Sequence, residues 1–194
     1  MTKAVVIGIS GASGAAIGVR IVERLVSDGG CEVHLVVSTA AERTLAHEVG
    51  PNALAHLRQH AHVCHAIDAV GDSIASGSFP TGGMIVAPCS MRTLSAIAFS
   101  LSDNLLTRAA DVQLKERRPL VLVTRETPLH LGHLRAMVQA TEMGAVIAPP
   151  TPAFYQRPQS VAAIVDALAA RAIDLLHLDA VGMTAPWSGL SSTS

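Results

Sequence analysis

The amino-terminal region contains the stretch Ala4-Val5-Val6-Ile7-Gly8-Ile9-Ser10-Gly11-Ala12-Ser13-Gly14. It begins with an apolar run without polar alternation, which is typical of a strand covered on both faces of a parallel sheet. Glycines recur through its second half, and glycine lets the backbone turn sharply and come close to a ligand. Apolar residues at helical spacing then extend from Ile17 to Leu25. The stretch therefore predicts a strand, a tight turn and a helix whose amino terminus can bind an anion.

The turn differs from three familiar signatures. A dinucleotide-binding fingerprint would need glycine at position 10, where Ser10 stands, and a Walker loop would need Gly-Lys-Ser/Thr at its end. Ser13 does not sit in a nucleophile elbow, because Gly-x-Ser-x-Gly would require glycine in place of Ala15. A purely structural turn is the alternative. Its position after the first strand of an α/β sheet favours a phosphate or cofactor site.

Strand and helix patterns alternate along the rest of the chain. The sequence predicts strands at 4–9, 32–37, 83–87, 120–123 and 145–148. It predicts helices at 16–25, 91–99, 105–116, 129–143 and 161–176, and a further helix that begins over 38–42. Residues 50–78 are less regular. This alternation predicts an α/β fold with a three-layer, doubly wound parallel sheet of the flavodoxin-like or Rossmann-like kind.

Local signals mark the ends of several elements. Thr39 and Glu42 have the spacing of a capping box at the start of the second helix. Ser90 and Ser160 stand where a side chain would cap the helix that follows. Pro88 is expected to stop the strand before it, because proline has no N–H to donate.

Polar turns follow several of the predicted strands. Ser38 ends the second strand, Cys89-Ser90-Met91-Arg92-Thr93 follows a later strand, and Arg125-Glu126-Thr127 follows the strand 120–123. In an open parallel sheet the carboxyl ends of the strands line one crevice. Each turn alone is compatible with an ordinary helix cap. Together they predict a site for a cofactor with a polar head group.

Composition limits the classes of partner. Apolar residues make up 49% of the 194 residues, 15% are charged and the mean hydropathy is +0.41, which excludes a disordered chain. The net charge of −1 gives no field to attract nucleic acid or anionic lipid. The uncharged runs 4–19 and 73–91 contain Gly, Ser and Pro, unlike a membrane span, and the start shows no signal peptide. We therefore expect that the protein binds neither nucleic acid nor a membrane. We also expect a homo-oligomer, whose interfaces bury the surplus apolar surface.

Cysteines, histidines and a charge run give weaker signals. Three cysteines without CxxC spacing suit free thiols and a cytoplasmic location. The histidines between His56 and His65 have spacings that can grip a metal, but no catalytic zinc motif is present and we expect no metal. Lys115-Glu116-Arg117-Arg118 reads by default as a solvated helix end. It precedes the strand that delivers Arg125 and Glu126, so phosphate binding by some of these residues is an open alternative.

Seven blocks of sequence together resemble the UbiX-type flavin prenyltransferases, formerly known as aromatic-acid decarboxylases. The resemblance covers nearly the whole chain, and its Lys-Glu-Arg-Arg, Arg-Glu-Thr-Pro-Leu and Pro-Ala-Phe-Tyr segments are specific in combination. The blocks are residues 8–15, 87–94, 103–106, 108–112, 114–122, 125–129 and 149–155.

The resemblance implies a flavodoxin-like fold assembled into a dodecamer, with active sites where subunits meet. The family joins a dimethylallyl group from dimethylallyl phosphate to N5 and C6 of reduced FMN, without a metal. The prenylated FMN then serves a partner decarboxylase of the UbiD type. For this chain we expect a single flavin-binding α/β domain over residues 1–180 and a carboxyl-terminal tail over 181–194 that covers the active site.

The resemblance also implies roles for individual residues. The residues that would contact FMN are Gly11, Ala12, Ser13, Ser38, Ser90, Met91, Arg92, Thr93 and Arg125. Those that would surround the dimethylallyl phosphate are Lys115, Arg125, Glu126, Tyr155, Arg171 and, from the tail, Trp187. The catalytic set would be Ser13, Glu48, Lys115 and Glu126, with Glu48 reached from a neighbouring subunit.

The chemistry suits these residue types. Breaking a C–O bond to release phosphate builds negative charge, which Lys115, Arg125 and Arg171 would stabilise in place of a metal ion. Glu126 would exchange a proton with phosphate or flavin, and Ser13 would position or relay one near N5. The chain departs from the family at Ala16, Gly82 and Arg92, and none of these changes removes a charge that the mechanism needs.

Two other functions compete. A flavin-dependent peptidyl-cysteine decarboxylase would carry a catalytic His early in the chain and a Pro-Met-Asn block, and the sequence has neither. A flavin-binding subunit without chemistry of its own is the second alternative.

Overall fold

The computed structural model describes residues 3–178, 183, 184 and 189 of the chain. These residues form one six-stranded sheet in the order β3-β2-β1-β4-β5-β6, and every neighbouring pair runs parallel. The strands are β1 Lys3–Ile9, β2 Cys31–Val37, β3 Val63–His65, β4 Thr81–Cys89, β5 Leu120–Thr124 and β6 Val146–Ile147. The predicted doubly wound α/β fold is confirmed, and its strand order is that of the Rossmann fold.

Helices cover both faces of this sheet. Those described are α1 Ala15–Asp28, α2 Thr39–Glu48, α3 Ala53–His60, α4 Met91–Ala98, α5 Leu105–Lys115, α6 Leu131–Glu142 and α7 Val161–Asp174, with 3₁₀ turns at Ser73–Ala75 and Phe154–Gln156. One core packs α1, α2, α3 and α7 on the face of Val5 and Ile85, and the other packs α4, α5 and α6 on the face of Val6 and Met84. Within this described part, no helix is long and apolar enough to cross a membrane.

Serine side chains cap three of the helices. The caps predicted at Ser90 and Ser160 are confirmed, since their hydroxyls accept the N–H groups of Thr93 and Ala163 at 3.3 and 3.1 Å. The capping box predicted from Thr39 and Glu42 is wrong. Ser38, one residue earlier, has an extended backbone and its hydroxyl accepts the N–H of Ala41 at 3.2 Å, so it is the cap of α2.

One further prediction was wrong in the middle of the chain. Pro88 does not end its strand, because β4 continues to Cys89 and its pairing with β5 shifts register between Val86 and Cys89. Proline is tolerated at such an irregularity, where the ladder needs no N–H. The irregular segment 50–78 contains α3 and β3, which are too short to produce a clear periodic pattern.

The sheet changes its winding direction between β1 and β4. These strands are neighbours, but the helices that follow them, α1 and α4, pack on opposite faces of the sheet. Helix α1 lies directly against β4, because a Cβ added at Gly18 would be 2.3 Å from the carbonyl oxygen of Ala87. The carboxyl ends of β1 and β4 therefore form a topological switch point, where open α/β sheets bind their ligands.

A chain of polar contacts that ends at the partly exposed Asp72 connects β2, β3 and the loop after them. Nδ1 of His65 lies 2.7 Å from a carboxylate oxygen of Asp72, and Nε2 of His65 lies 3.0 Å from Nδ1 of His34. Because a carboxylate only accepts, the Nδ1–H of His65 donates to Asp72, and between the two rings one nitrogen donates and the other accepts. Phe79 covers His34, which is 4% exposed. The pair has no room for a further proton between the two rings.

We expect the free energy of unfolding to decrease as the pH falls below about 6.5. Burial lowers the pKa of His34 below its ordinary value of 6.5, His65 and His62 lower it further, and Glu32 opposes them. The unfolded chain then binds more protons than the folded one. The contribution of His34 is therefore complete above 6.5 and lost as the pH falls, which urea unfolding at pH 7.5 and 5.5 measures.

The variant His34→Gln should show a smaller difference between the two pH values than the parent chain. His47→Gln changes an exposed histidine on α2 and is the matched control, with an unchanged pH dependence. An identical pH dependence in His34→Gln and the parent chain would contradict the assignment.

Candidate active site

The turn after β1 is shaped by two glycines. A Cβ added at Gly11 would be 2.5 Å from the Cβ of Ala40, so the turn packs directly against the start of α2. Gly14 has a φ of 102°, in the left-handed region that side chains rarely adopt. The predicted tight turn is confirmed, and its shape depends on both residues.

Backbone hydrogen bonds join the turns at the carboxyl edge of the sheet. The N–H of Ser38 donates to the carbonyl of Ile9 at 3.0 Å, which joins the start of α2 to the end of β1. The N–H of Arg125 donates to the carbonyl of Cys89 at 3.1 Å, which joins the end of β5 to that of β4. The polar turns after β1, β2, β4 and β5 thus lie side by side along one edge, as the sequence predicted.

Glu48 brings a carboxylate to the amino terminus of α1. Its Oε2 accepts the N–H groups of Gly14 and Ala15 at 2.8 and 2.9 Å. This contact lies within one chain, because α2 ends beside the start of α1. The amino terminus of α1 is therefore already occupied by the carboxylate of Glu48. That Glu48 also reaches the site of a neighbouring subunit stays a prediction.

The ionisation of Glu48 follows from these contacts. Partial burial raises the pKa of its carboxyl, but hydrogen bonds from the Ser13 hydroxyl and the Gly14 and Ala15 N–H groups lower it more. The positive charge of Arg125 lowers the pKa further, so the net value lies below the ordinary 4.5. Glu48 is a carboxylate at neutral pH, in contact with Ser13 and within the field of Arg125.

The turn after β4 combines buried and exposed residues. Met91 and Thr93 are buried, and the Ser90 hydroxyl is used as the cap of α4. Arg92 is exposed and pairs with Asp103 at 2.6 Å. The N–H groups at the amino terminus of α4 face the same edge as the turn after β1, and a helix amino terminus is suited to bind phosphate.

The predicted substrate residues divide between the two edges of the sheet. Arg125 and Glu126 follow β5 at the carboxyl edge and are exposed, and Tyr155 lies on the 3₁₀ turn after β6. Lys115 is the last residue of α5, which leads into the start of β5, so it lies at the amino edge, paired with Glu116. Arg171 is ten residues into α7, about 15 Å from the start of that helix.

One chain therefore does not assemble the whole predicted set. Within a single chain the run at Lys115 lies at the opposite edge of the sheet from Arg125 and Glu126, because α5 and β5 run in opposite directions. Phosphate binding by residues of this run stays a prediction. Trp187 lies outside the described residues. The histidines between His56 and His65 have separate partners and do not share one centre.

Two residues of the site escaped the sequence analysis as functional groups. Ser10 was noted only as a departure from a dinucleotide fingerprint, although its hydroxyl connects two of the turns. Thr124 ends the apolar strand β5, and its buried hydroxyl has no hydrogen-bond partner among the described residues. A polar residue at the end of an otherwise apolar strand was the available signal for Thr124.

Replacing the carboxylate of Glu48 should weaken the start of α1. We expect Glu48→Gln to lower the free energy of unfolding by about 0.5 kcal/mol at pH 7, a modest effect because the position is exposed and screened. Since the folded pKa lies below 4.5, this contribution is present above pH 4.5 and shrinks as the pH falls below it. Chemical unfolding at pH 7 and pH 4 measures both effects.

Glu142→Gln is the control. Glu142 is an exposed carboxylate at the carboxyl end of α6, where the helix dipole does not stabilise a negative charge, so its replacement should not lower the free energy of unfolding. Equal stability of the two variants at pH 7 would refute the capping role of Glu48.

Comparisons with known proteins agree with this arrangement. The family model described as Flavoprotein matches residues 1–172. The chain is 54% identical over 185 residues to the flavin prenyltransferase UbiX of Thauera aromatica. The aligned region covers 95% of this chain and 94% of that protein.

Two solved structures are similar over nearly their full length. The crystal structure of AnUbiX (PadA1) in complex with FMN and dimethylallyl pyrophosphate matches with a TM-score of 0.92 and 42% identity, over 98% of this chain and 100% of that one. The dodecameric FMN-dependent UbiX-like decarboxylase from Escherichia coli O157:H7 matches with a TM-score of 0.90 and 41% identity, over 96% and 100%.

Proposed function

The chain belongs to the Flavoprotein family and, within it, to the UbiX-type flavin prenyltransferases, and from this we propose its reaction. It joins a dimethylallyl group from dimethylallyl phosphate to N5 and C6 of reduced FMN. The observation that carries this conclusion is the similarity, at 42% identity over 98% of the chain, to a structure that holds FMN and dimethylallyl pyrophosphate.

The carboxyl edge offers groups that fit FMN. The amino terminus of α4 presents N–H groups for a phosphate, and Gly11 keeps the first turn free of a side chain. The buried Thr124 hydroxyl, unpartnered in the described part of the chain, is a polar group that a bound flavin would satisfy. We assign FMN contacts to Gly11, Ala12, Ser13, Ser38, Ser90, Met91, Arg92, Thr93 and Arg125. When bound, reduced FMN supplies the nucleophilic N5 and C6 atoms.

The charged residues divide the remaining work. Loss of phosphate from the dimethylallyl group leaves negative charge, and Lys115, Arg125 and Arg171 stabilise it while Tyr155 hydrogen-bonds the phosphate. Glu126 exchanges a proton with phosphate or flavin. The Ser13 hydroxyl donates a hydrogen bond to the Glu48 carboxylate, so a proton is held within the turn after β1.

A second copy of the chain completes the site in this proposal. Lys115 and Arg171 serve the crevice of a neighbouring subunit, since they lie away from the crevice of their own. Apolar surface for such contacts is present: Leu131 and Val138 on α6 are 58% and 57% exposed, and Phe99 and Leu101 are each 61% exposed. The chain assembles as a dodecamer, the state named for its Escherichia coli relative.

The wider assignments rest on the family. Residues 1–180 act as a single flavin-binding domain, and the tail 181–194 covers the site with Trp187. The prenylated FMN passes to a UbiD-type decarboxylase. The protein works in the cytoplasm, in keeping with three cysteines that are unpaired in the structure.

Anaerobic incubation with reduced FMN and dimethylallyl phosphate tests the reaction. We expect mass spectrometry to detect flavin heavier by one dimethylallyl group, formed without added metal. A parallel incubation with the diphosphate measures which leaving group is preferred. Unchanged flavin that nevertheless stays bound would identify a flavin carrier and refute the transferase.

Mixing two inactive variants tests the shared site. Lys115→Ala should lose about a hundredfold in turnover because a charge on the leaving phosphate is removed, and Glu126→Gln should bind FMN but stall conversion. Unfolded and refolded together, the two should regain activity, because some sites then combine an intact Lys115 with an intact Glu126 from different chains. A mixture as inactive as its parts would place both residues in the same chain's site.

A further inference from the structure

Ser10 occupies a position that its neighbours make unusual. It follows β1 directly, in the place where dinucleotide-binding turns of the same strand order carry glycine. Its residue is 1% exposed, so the side chain is enclosed by the protein and not available to solvent. A buried hydroxyl in a turn at the switch point needs partners within the protein.

The Ser10 hydroxyl both donates and accepts a hydrogen bond. Its Oγ donates to the carbonyl oxygen of Pro88 at 2.8 Å and accepts the N–H of Ser90 at 2.8 Å. The backbone N–H of Ser10 also donates to the carbonyl of Pro88, at 3.2 Å. The single proton and an oxygen lone pair are both engaged, so the hydroxyl has one orientation.

These bonds join the two turns that diverge at the switch point. The turn 11–14 leads into α1 on one face, and Ser90 begins α4 on the other. The links at Ile9–Ser38 and Cys89–Arg125 are made by backbone groups, which any residue supplies. Two of the three bonds through Ser10 are made by its hydroxyl, and glycine or alanine at this position would keep only the backbone bond to Pro88 and leave the Ser90 N–H without that acceptor.

We propose that Ser10 is a positioning residue for flavin prenylation, which holds the turn 11–14 against the turn 90–93. It sets the distance between two groups of flavin contacts without touching the flavin. The proposal rests on the proposed function for the identity of the ligand. Loss of the hydroxyl removes two of the three bonds between the turns and leaves only the backbone bond, so the turns are held less tightly, FMN binds more weakly and less uniformly, and the reacting atoms are misplaced.

The test measures FMN binding to the assembled full-length protein, without dimethylallyl phosphate, at a temperature where all variants are folded. Ser10→Ala should raise the dissociation constant of FMN about tenfold, because FMN binding must then also restore the spacing of the two turns. The visible absorption spectrum of its bound FMN should move toward that of free FMN. With substrate added, kcat should fall as well as KM rise, because a misplacement of about 1 Å at the reacting atoms can cost about a hundredfold in rate.

Two further variants separate positioning from stability. Thr81→Val removes a hydroxyl that donates to Gln113 at 2.7 Å, at the opposite end of the same strand β4, and should lower the melting temperature without changing FMN affinity. Ser10→Thr keeps the hydroxyl and should regain most of the affinity and the spectrum of the parent chain.

The outcomes distinguish this proposal from the proposed function. FMN affinity and spectrum unchanged in Ser10→Ala would overturn the positioning role, as would a Ser10→Thr variant that folds but regains nothing. Tight FMN binding by the parent chain without prenyl transfer would instead refute the transferase, and the effect of Ser10 on FMN binding would still be measured.

Discussion

The parallel pairing of β1 with β4 is the contact on which the site depends. Their central residues, including Ile7 and Ile85, are inaccessible to solvent because helices cover both faces of the sheet. Such strands have to be apolar throughout, and the polar residues therefore concentrate just beyond their carboxyl ends. There the covering helices leave on opposite faces, and the space between their first turns is where an open α/β sheet offers a crevice to a ligand. Burial and site location are two results of one packing arrangement.

Charge is distributed unevenly around this opening. The start of α1 is occupied by the carboxylate of Glu48, whereas the start of α4 is capped by the neutral hydroxyl of Ser90. Two equivalent helix termini thus differ in electrostatic character, and an anionic ligand is directed toward α4. Arg125 lies close enough to lower the pKa of Glu48, so the opening contains both a base and a cation. A low overall content of charged residues is compatible with a strongly polarised site.

Much of the fold could be predicted because strand burial and helix periodicity are local properties of the sequence. The apolar run at β1, the turn ending at Gly14 and the cap at Ser90 were all recognised in this way. The placements that were not predicted depend on contacts distant in sequence. Glu48 reaches the first turn only because α2 folds back beside α1, and Lys115 is taken to the far edge by the direction of α5. The link from Ser10 to Pro88 spans two strands, and no pattern within either segment reveals it. The seven blocks identified the family, but the positions of residues relative to one another required the structure.

Because Lys115 and Glu126 lie at opposite edges of the sheet, the proposed assembly determines how a mutation in one subunit affects the reaction in another. If each crevice borrows its lysine from a neighbour, a subunit altered at its amino edge keeps its own flavin turn intact and spoils an adjacent subunit's reaction. A fault therefore acts in trans, and a minority of altered chains reduces the output of normal ones. In that arrangement a newly synthesised chain would be inert toward dimethylallyl phosphate until it meets its neighbours, and chemistry would begin only with assembly.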